Sequence, residues 1–300
     1  MENIIQINSL TFSYSKTLKV LDNISINVPK GSIYGFLGPN GAGKSTTMSL
    51  ITGLLPVEEN TIKMFNEPLN NQLPEMFSRI GSIVESPSLY GHLTGKENLK
   101  YFGKLKNVTS ERIDEVLEIV GLTQSGNRKA KEYSLGMKQR LAIALALLGK
   151  PDLLLLDEPV NGLDPAGIVE IRELLVRLNK EDGVTIFVSS HLLSEIEKMC
   201  THIGIINQGK LKFEGTMKEL SEQSSGYQIR VAIKDASYWV KELAQENMRL
   251  HNENEITVTL NNKNEVPNLI NMLVGKGIEI YEVKIIDGLE EWFIQLTKNN

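Results

Sequence analysis

A glycine-rich run carries the residue types that bind phosphate. In chain order it reads Gly38, Pro39, Asn40, Gly41, Ala42, Gly43, Lys44, Ser45 and Thr46. It matches Gly-x-x-x-x-Gly-Lys-Ser/Thr, in which glycines let backbone N–H groups surround phosphate oxygens. Lys44 would place its charge on the β- and γ-phosphates, and the Ser45 hydroxyl would coordinate Mg²⁺. The alternative, a chance match in a glycine-rich turn, is disfavoured because an apolar strand precedes the run and a helix follows it.

Three more polar groups follow apolar strands. Asp157 and Glu158 come directly after Leu153–Leu156, and His191 follows another apolar run. Ligands of parallel sheets bind at the carboxyl ends of the strands. We therefore expect Asp157 to hold Mg²⁺ and Glu158 to orient the attacking water as general base. His191 would hydrogen-bond the γ-phosphate; the alternatives are two solvated carboxylates and a structural histidine.

The elements that position these groups follow from the hydrophobic pattern. Residues 1–30 predict antiparallel strands, residues 33–37 and 184–188 predict buried strands, and residues 92–150 predict mostly helices. Further helices are expected over about 44–54, 138–148 and 166–180, and a hairpin is expected near Gln208. The predicted class is α/β: a P-loop NTPase with a mostly parallel sheet, an antiparallel β-subdomain and an α-helical subdomain.

A polar, small-residue stretch near residues 221–226 predicts a linker. We expect a nucleotide-binding domain over 1–218 and a small C-terminal α+β domain over 219–300. In the C-terminal domain the pattern predicts strand, helix, strand, helix, strand, helix.

Composition narrows the class of function. The formal net charge is -5, which disfavours nucleic acid as a partner. Cys200 is the one cysteine, so no disulfide can form within the chain and a core-filling role is expected. The first residues lack the features of a signal peptide, and no apolar run reaches the roughly 20 residues that span a bilayer. We expect a chain that is soluble alone, with any membrane part supplied by other subunits.

Residues 1–218 resemble the ATP-binding cassette family, whose motifs occur here in the family's order. Residues 133–139, Tyr-Ser-Leu-Gly-Met-Lys-Gln, stand where the family has its Leu-Ser-Gly-Gly-Gln signature. Residues 161–164, Asn-Gly-Leu-Asp, match the loop that contacts the partner subunit, and His191 matches the switch histidine. Tyr14 resembles the aromatic platform that stacks on adenine; its alternative is a half-buried strand tyrosine.

The resemblance implies a dimer, either of two identical chains or with a second cassette. The signature of one chain would bind the γ-phosphate held by the other, at a helix start suited to anions. The implied dimer contacts are Ser134, Leu135, Gly136, Met137 and Asp164. ATP and Mg²⁺ are the implied ligands.

The chain departs from the family pattern in two places. Leu135 and Met137 replace the glycine and glutamine of the signature. Glu85 stands where the family's glutamine joins Mg²⁺ to the membrane partner; it could bind the metal or face solvent. These features resemble the branch that exports bacitracin-like and lantibiotic peptides.

The leading hypothesis is the ATP-hydrolysing subunit of an exporter, peripheral to the cytoplasmic face of the membrane. Integral membrane permease subunits would contact the surface near residues 85–102, where an aromatic cluster could instead be core. A second hypothesis is a soluble cassette ATPase acting on ribosomes or DNA. A third is a regulatory cassette that binds ATP without hydrolysing it; the complete set of catalytic residues argues against it.

Overall fold

The computed structural model describes residues 2–15, 18–84, 89–223, 227–243, 247–286, 293 and 296. The chain divides into two compact units, Met1–Met217 and Lys218–Asn300. Within the described ranges, no helix is both long and apolar enough to cross a membrane.

The first unit contains two sheets and a set of helices. Its described strands are β1 (Asn3–Ser15), β2 (Leu18–Pro29), β3 (Ile33–Leu37), β4 (Ile62–Met64), β5 (Glu67–Pro68), β6 (Ile80–Ile83), β7 (Leu153–Leu156), β8 (Thr185–Ser190), β9 (His202–Asn207) and β10 (Lys210–Thr216). Its described helices are α1 (Lys44–Ile51), α2 (Leu69–Gln72), α3 (Gly95–Gly103), α4 (Ser110–Ile119), α5 (Leu135–Leu147), α6 (Pro165–Asp182) and α7 (Leu193–Met199). A further helix, α8 (Met217–Gln223), begins at the last residue of this unit.

The larger sheet has the strand order β10-β9-β3-β8-β7-β6. Strands β9, β3, β8, β7 and β6 are parallel, and β10 returns antiparallel to β9. Every residue of β3, β7 and β8 is buried, as expected for strands covered on both faces. The predicted parallel sheet and the hairpin near Gln208 are therefore confirmed.

The smaller sheet is antiparallel, with the order β2-β1-β4-β5. Its alternating apolar residues, such as Ile5, Ile7 and Ile24, share one core with Phe36 and Phe187 of the larger sheet. This joint core fixes α1 and the loop before it between the two sheets. Cys200 is buried, and burial raises the pKa of its thiol well above the usual range, as suits a core-filling role.

Helices α3, α4 and α5 form the predicted helical segment. Each begins at a hydroxyl side chain that accepts a hydrogen bond from the backbone three residues later: Thr94, Thr109 and Ser134. Thr94 and Glu97 form a full capping box. Helix α5 packs so closely on β6 that a Cβ on Gly81 would lie 2.3 Å from the Ala146 carbonyl oxygen.

The second unit is a small α+β fold. Its described strands are β11 (Tyr227–Ile233), β12 (Met248–Asn252), β13 (Glu255–Leu260) and β14 (Ile280–Ile286); its described helices are α9 (Ala236–Leu243) and α10 (Val266–Gly275). The antiparallel sheet has the order β12-β13-β11-β14, which is the split β-α-β arrangement. One face packs on both helices through residues such as Ile229, Val231, Ile256, Val258 and Leu273.

Two predictions were wrong. The second unit has four described strands where three were expected, because residues 248–260 form a hairpin: the Asn254 N–H donates to Asn252 Oδ1 over 2.9 Å and turns the chain. Helix α5 starts at Leu135, not near Lys138, because Ser134 caps it and Gly136 falls inside its first turn. The predicted last helix lies mostly outside the described residues.

Candidate nucleotide-binding and catalytic site

The carboxyl ends of three neighbouring strands meet at one edge of the larger sheet. In the parallel register Leu37 of β3 pairs with Ser190 of β8, and Leu156 of β7 pairs with Val188. The residues that follow β3, β7 and β8 are therefore neighbours in space. These are the phosphate loop, the two carboxylates and His191, which the chain separates by up to about 150 residues.

Glycines shape the loop that leads from β3 to α1. A Cβ on Gly38 would lie 2.4 Å from the Ile206 carbonyl oxygen, so no side chain fits against β9. Gly43 caps α1 with a φ of 112°, and Gly41 has a φ of 79° with open space around its Cβ position. The loop thus presents backbone toward the space in front of α1, whose first N–H groups attract anions.

Lys44 is the buried cation of this loop. Its Nζ donates to the Gly38 carbonyl oxygen over 2.7 Å and lies 3.2 Å from Glu158 Oε1. Only 6% of its side chain is exposed, so its stem packs inside the loop while the ammonium faces the carboxylate.

Glu158 joins the phosphate loop to His191. Its Oε2 lies 2.8 Å from His191 Nδ1, while its Oε1 faces Lys44. Its backbone has a φ of 46°, in the left-handed region that non-glycine residues seldom occupy. The Glu158 N–H donates to Ser189 Oγ over 2.9 Å, which helps to hold this conformation.

Ser189 organises both carboxylate residues. Besides accepting from Glu158, its hydroxyl donates to Asp157 Oδ1. The Asp157 N–H donates to the Ile83 carbonyl oxygen over 2.8 Å, so β6 also fixes this residue. Sequence reasoning missed Ser189 as a site residue. The available signal was a buried serine pair, Ser189 and Ser190, ending an otherwise apolar strand.

Lys44 and Glu158 border a cleft of about 400 Å³ in front of the phosphate loop. It is lined by Val20, Asn40, Gly41, Gly43, Lys44, Ser45, Thr46 and Glu158. An ammonium group, open glycine backbone and a helix N-terminus suit a polyphosphate. The exposed Ser45 hydroxyl and the Asp157 carboxylate supply oxygen ligands, which Mg²⁺ prefers. Glu85, the other predicted metal ligand, lies outside the described residues.

Tyr14 stands beside the cleft. Its hydroxyl lies 3.3 Å from Thr46 Oγ1, and its ring packs edge-on against Phe12 with centroids 5.1 Å apart. With 56% of the residue exposed, the ring is available for stacking rather than half-buried.

The signature residues and the loop after β7 are in contact with each other. The Leu135 side chain lies 3.3 Å from where a Cβ on Gly162 would be. The Leu163 side chain lies 3.9 Å from where a Cβ on Gly136 would be. Asp164 caps α6 by accepting from the Gly167 N–H over 3.0 Å. Ser134 and Asp164 are both exposed, so this surface is accessible to another molecule.

Comparison with known proteins decides the family. The family model described as ABC transporter matches residues 21–161. The bacitracin transport ATP-binding protein BcrA of Bacillus licheniformis is 41% identical over 302 residues, 99% of this chain and 98% of the relative. The chain belongs to the ABC transporter ATP-binding proteins.

Two other proteins match about 70% of the chain. The lantibiotic transport ATP-binding protein SrtF of Streptococcus pyogenes is 43% identical over 210 residues, 70% of this chain and 90% of the relative. A dimeric post-hydrolysis structure of an ATP-binding cassette bound to ADP and Pi is 26% identical, with a TM-score of 0.63. It covers 71% of this chain and 98% of its own. The predicted family and the P-loop NTPase fold are thereby confirmed.

In this ABC protein, Glu158→Gln is expected to retain ATP binding and to lower steady-state turnover by at least about a hundredfold, because the amide cannot accept a proton. Glutamine fits the same space and backbone conformation, so the fold should persist. ATP affinity and phosphate release are measured beside Glu173→Gln, an exposed glutamate of α6. Near-normal turnover in Glu158→Gln would remove the residue from the base role.

Proposed function

We propose that this chain binds and hydrolyses ATP to energise export of a peptide antibiotic, or a chemically similar substrate, through separate membrane subunits. The observation that carries this proposal is the full-length match to a bacitracin transport ATP-binding protein, which spans the second unit as well as the cassette. The match to a lantibiotic transport protein over 70% of the chain supports the same substrate class.

The proposed chemistry follows from the groups around the cleft. Glu158 would orient a water molecule and accept its proton as the water attacks the γ-phosphorus. His191, 2.8 Å from Glu158, would fix that carboxylate and contact the γ-phosphate. Lys44 would exchange its contact with Glu158 for phosphate oxygens, which frees the carboxylate for the water.

Mg²⁺ would be held by the Ser45 hydroxyl and by Asp157, with Glu85 as a further oxygen ligand. When bound, the cation would neutralise charge on the β- and γ-phosphates. The Ser189 hydroxyl would keep the Asp157 carboxylate oriented toward the cation, since it donates to one of the carboxylate oxygens. Tyr14 would stack on the adenine ring.

A second cassette would complete each site. The exposed Ser134 hydroxyl and the α5 N-terminus offer donors to a γ-phosphate bound by a partner. Leu135 and Met137 lie beside them in the first turn of the helix, and Asp164 lies on the neighbouring loop. The similar cassette solved with ADP and Pi is itself a dimer, which supports pairing of two cassettes. We propose that the two chains pair head-to-tail, so that each signature faces the partner's phosphate loop.

The membrane subunits would dock on an apolar groove between β6 and the helical segment. The groove measures about 390 Å³ and is lined by residues that include Phe77, Val84, Phe102, Leu105 and Leu145. Leu105 is 79% exposed at its rim. Such a groove suits an apolar segment of a permease, which would hold the chain at the cytoplasmic face of the membrane.

An aromatic cluster extends this surface. Tyr90 stacks near Phe102 with centroids 5.8 Å apart and meets Tyr101 edge-on at 5.0 Å. Tyr90 and Tyr101 are 40% and 51% exposed, so the cluster lies at the surface rather than in the core. Exposed aromatic side chains of this kind often anchor protein interfaces.

If each ATP site combines the phosphate loop of one chain with the signature of its partner, two inactive variants should restore activity when they are mixed. Lys44→Ala damages the phosphate loop and Ser134→Arg damages the signature, so a mixed dimer keeps one intact site. ATPase activity of the mixture is expected to reach up to about a quarter of wild type, while each variant alone stays inactive.

The matched control mixes Lys44→Ala with Ser45→Ala. Both lesions then lie in the phosphate loop, so every site is damaged and no activity should return. If the first mixture also stays inactive, or if an ATP-bound monomer is fully active, the head-to-tail model is wrong.

If membrane subunits dock on the groove, a charge placed there should weaken their binding but leave ATP hydrolysis nearly unchanged. Leu105→Asp should keep basal ATPase within about twofold but weaken capture by co-expressed membrane subunits at least about tenfold, because it places a charge in an apolar contact. Leu54→Asp, at a leucine that is 68% exposed elsewhere, is the matched control. Equal capture of both variants would show that permease subunits bind another surface.

A further inference from the structure

Strand β14 forms one edge of the sheet in the second unit. It pairs with β11 on one side, and no strand of the described residues pairs with its other side. Edge strands expose unpaired backbone groups and can accept another strand. Proteins usually protect such edges with charge, bulges or cover. Strand β14 carries charges on one face and a register irregularity near one end, but its other face is apolar and exposed.

From Glu282 to Ile285 the side chains of β14 alternate between a charged and an apolar face, whereas the register with β11 shifts between Ile280 and Glu282, beside Tyr281. Val283 pairs with buried Val231 and Ile285 pairs with buried Ile229, so both lie on the helix-facing side of the sheet. Yet Tyr281, Val283 and Ile285 are 66%, 40% and 56% exposed. The apolar face that forms the core of this unit therefore continues onto β14, where its side chains are exposed. We call these three side chains the β14 strip.

We propose that the β14 strip binds the same strip of a second copy of this chain, by antiparallel pairing of the two β14 strands about Val283. The two four-stranded sheets then join into one sheet of eight strands. In this register Val283 faces the partner's Val283, and Tyr281 faces the partner's Ile285. Apolar side chains directly opposite each other on one face are the contacts that stabilise paired strands.

The charges on the other face select this register. Glu282 and Lys284 flank Val283 and point to the opposite side of the sheet, where they form an exposed ion pair with each other at 2.9 Å. Pairing about Val283 places Glu282 opposite the partner's Lys284, twice by symmetry. Pairing about Glu282 or Lys284 would instead place identical charges opposite each other, which is unfavourable. The strand is thus self-complementary in both its apolar and its charged residues.

This contact is independent of ATP. The proposed cassette dimer involves the phosphate loop and the signature in the first unit, whereas the β14 pairing involves the second unit alone. It does not rest on the proposed function, and it would keep two chains associated when no nucleotide holds the cassettes together. The experiments therefore use the full-length chain without nucleotide, in buffer that contains a chelator of Mg²⁺.

Cysteine cross-linking tests the register. In a Cys200→Ala background, Val283→Cys is expected to form a disulfide-linked dimer under mild oxidation, because the two residues face each other across the symmetry axis. Tyr281→Cys alone and Ile285→Cys alone should not, since identical residues would lie about 13 Å apart. An equimolar mixture of these two variants should cross-link.

Sedimentation of charge-reversal variants tests whether Glu282 and Lys284 contribute to self-association in solution. Glu282→Lys and Lys284→Glu should each weaken self-association about tenfold, because like charges then oppose each other at two symmetric places. Mixing the two variants restores opposite charges at both places, so the mixture should associate within about threefold of wild type. This rescue cannot come from a folding defect in either variant.

A wild-type chain that stays monomeric at about 50 µM, with Val283→Cys left uncross-linked, would overturn the proposal. So would dimers that cross-link through Tyr281→Cys alone, or dimers that neither charge reversal weakens. Those results would assign the β14 strip to another occupant, such as a membrane subunit or the chain's own last residues.

Discussion

The register of three parallel strands is the constraint on which the site depends. Leu37 beside Ser190 and Leu156 beside Val188 bring the phosphate loop, both carboxylates and His191 to one edge of the sheet. A slip of one residue in either pairing would turn the side chains to the opposite face. All residues of these three strands are buried, so a slip would also disrupt the close packing on both faces of the sheet.

The same strand ends hold a tightly coupled set of polar groups. Ser189 contacts both Asp157 and Glu158, and the Glu158 carboxylate lies between Lys44 and His191. Glu158 keeps a left-handed backbone conformation, which costs about 1–3 kcal/mol for a non-glycine residue. Its contacts on both sides offset that cost. Unfavourable conformations of this kind are common at sites where a side chain must be aimed accurately.

Much of this arrangement could be predicted from the sequence. Lys44, Glu158 and His191 follow apolar runs, and parallel strands bring their ends together. The contact of Ser189 with two carboxylates depends on the exact pairing of β7 and β8, which no local pattern encodes. The exposure of Tyr90 and Tyr101 also could not be predicted, because an aromatic cluster has the same spacing in a core as on a surface.

The second unit was the least predictable part. Its alternation predicted strands and helices in turn, but the turn at Asn252–Asn254 divides one expected strand into two. That extra strand, β12, forms one edge of the split β-α-β sheet, and β14 forms the other. The full-length relative spans this unit, whereas the lantibiotic relative matches only 70% of the chain.

Two chains are proposed to assemble sites that hydrolyse ATP at these strand ends. Phosphate release by the purified wild-type chain with Mg-ATP, measured over chain concentrations that span the monomer–dimer equilibrium, tests this proposal most directly. The specific rate is expected to rise with concentration to a plateau and to vanish when Mg²⁺ is chelated. Absence of phosphate release at every concentration, or an unchanged specific rate in a chain that sediments as a monomer, would contradict the account.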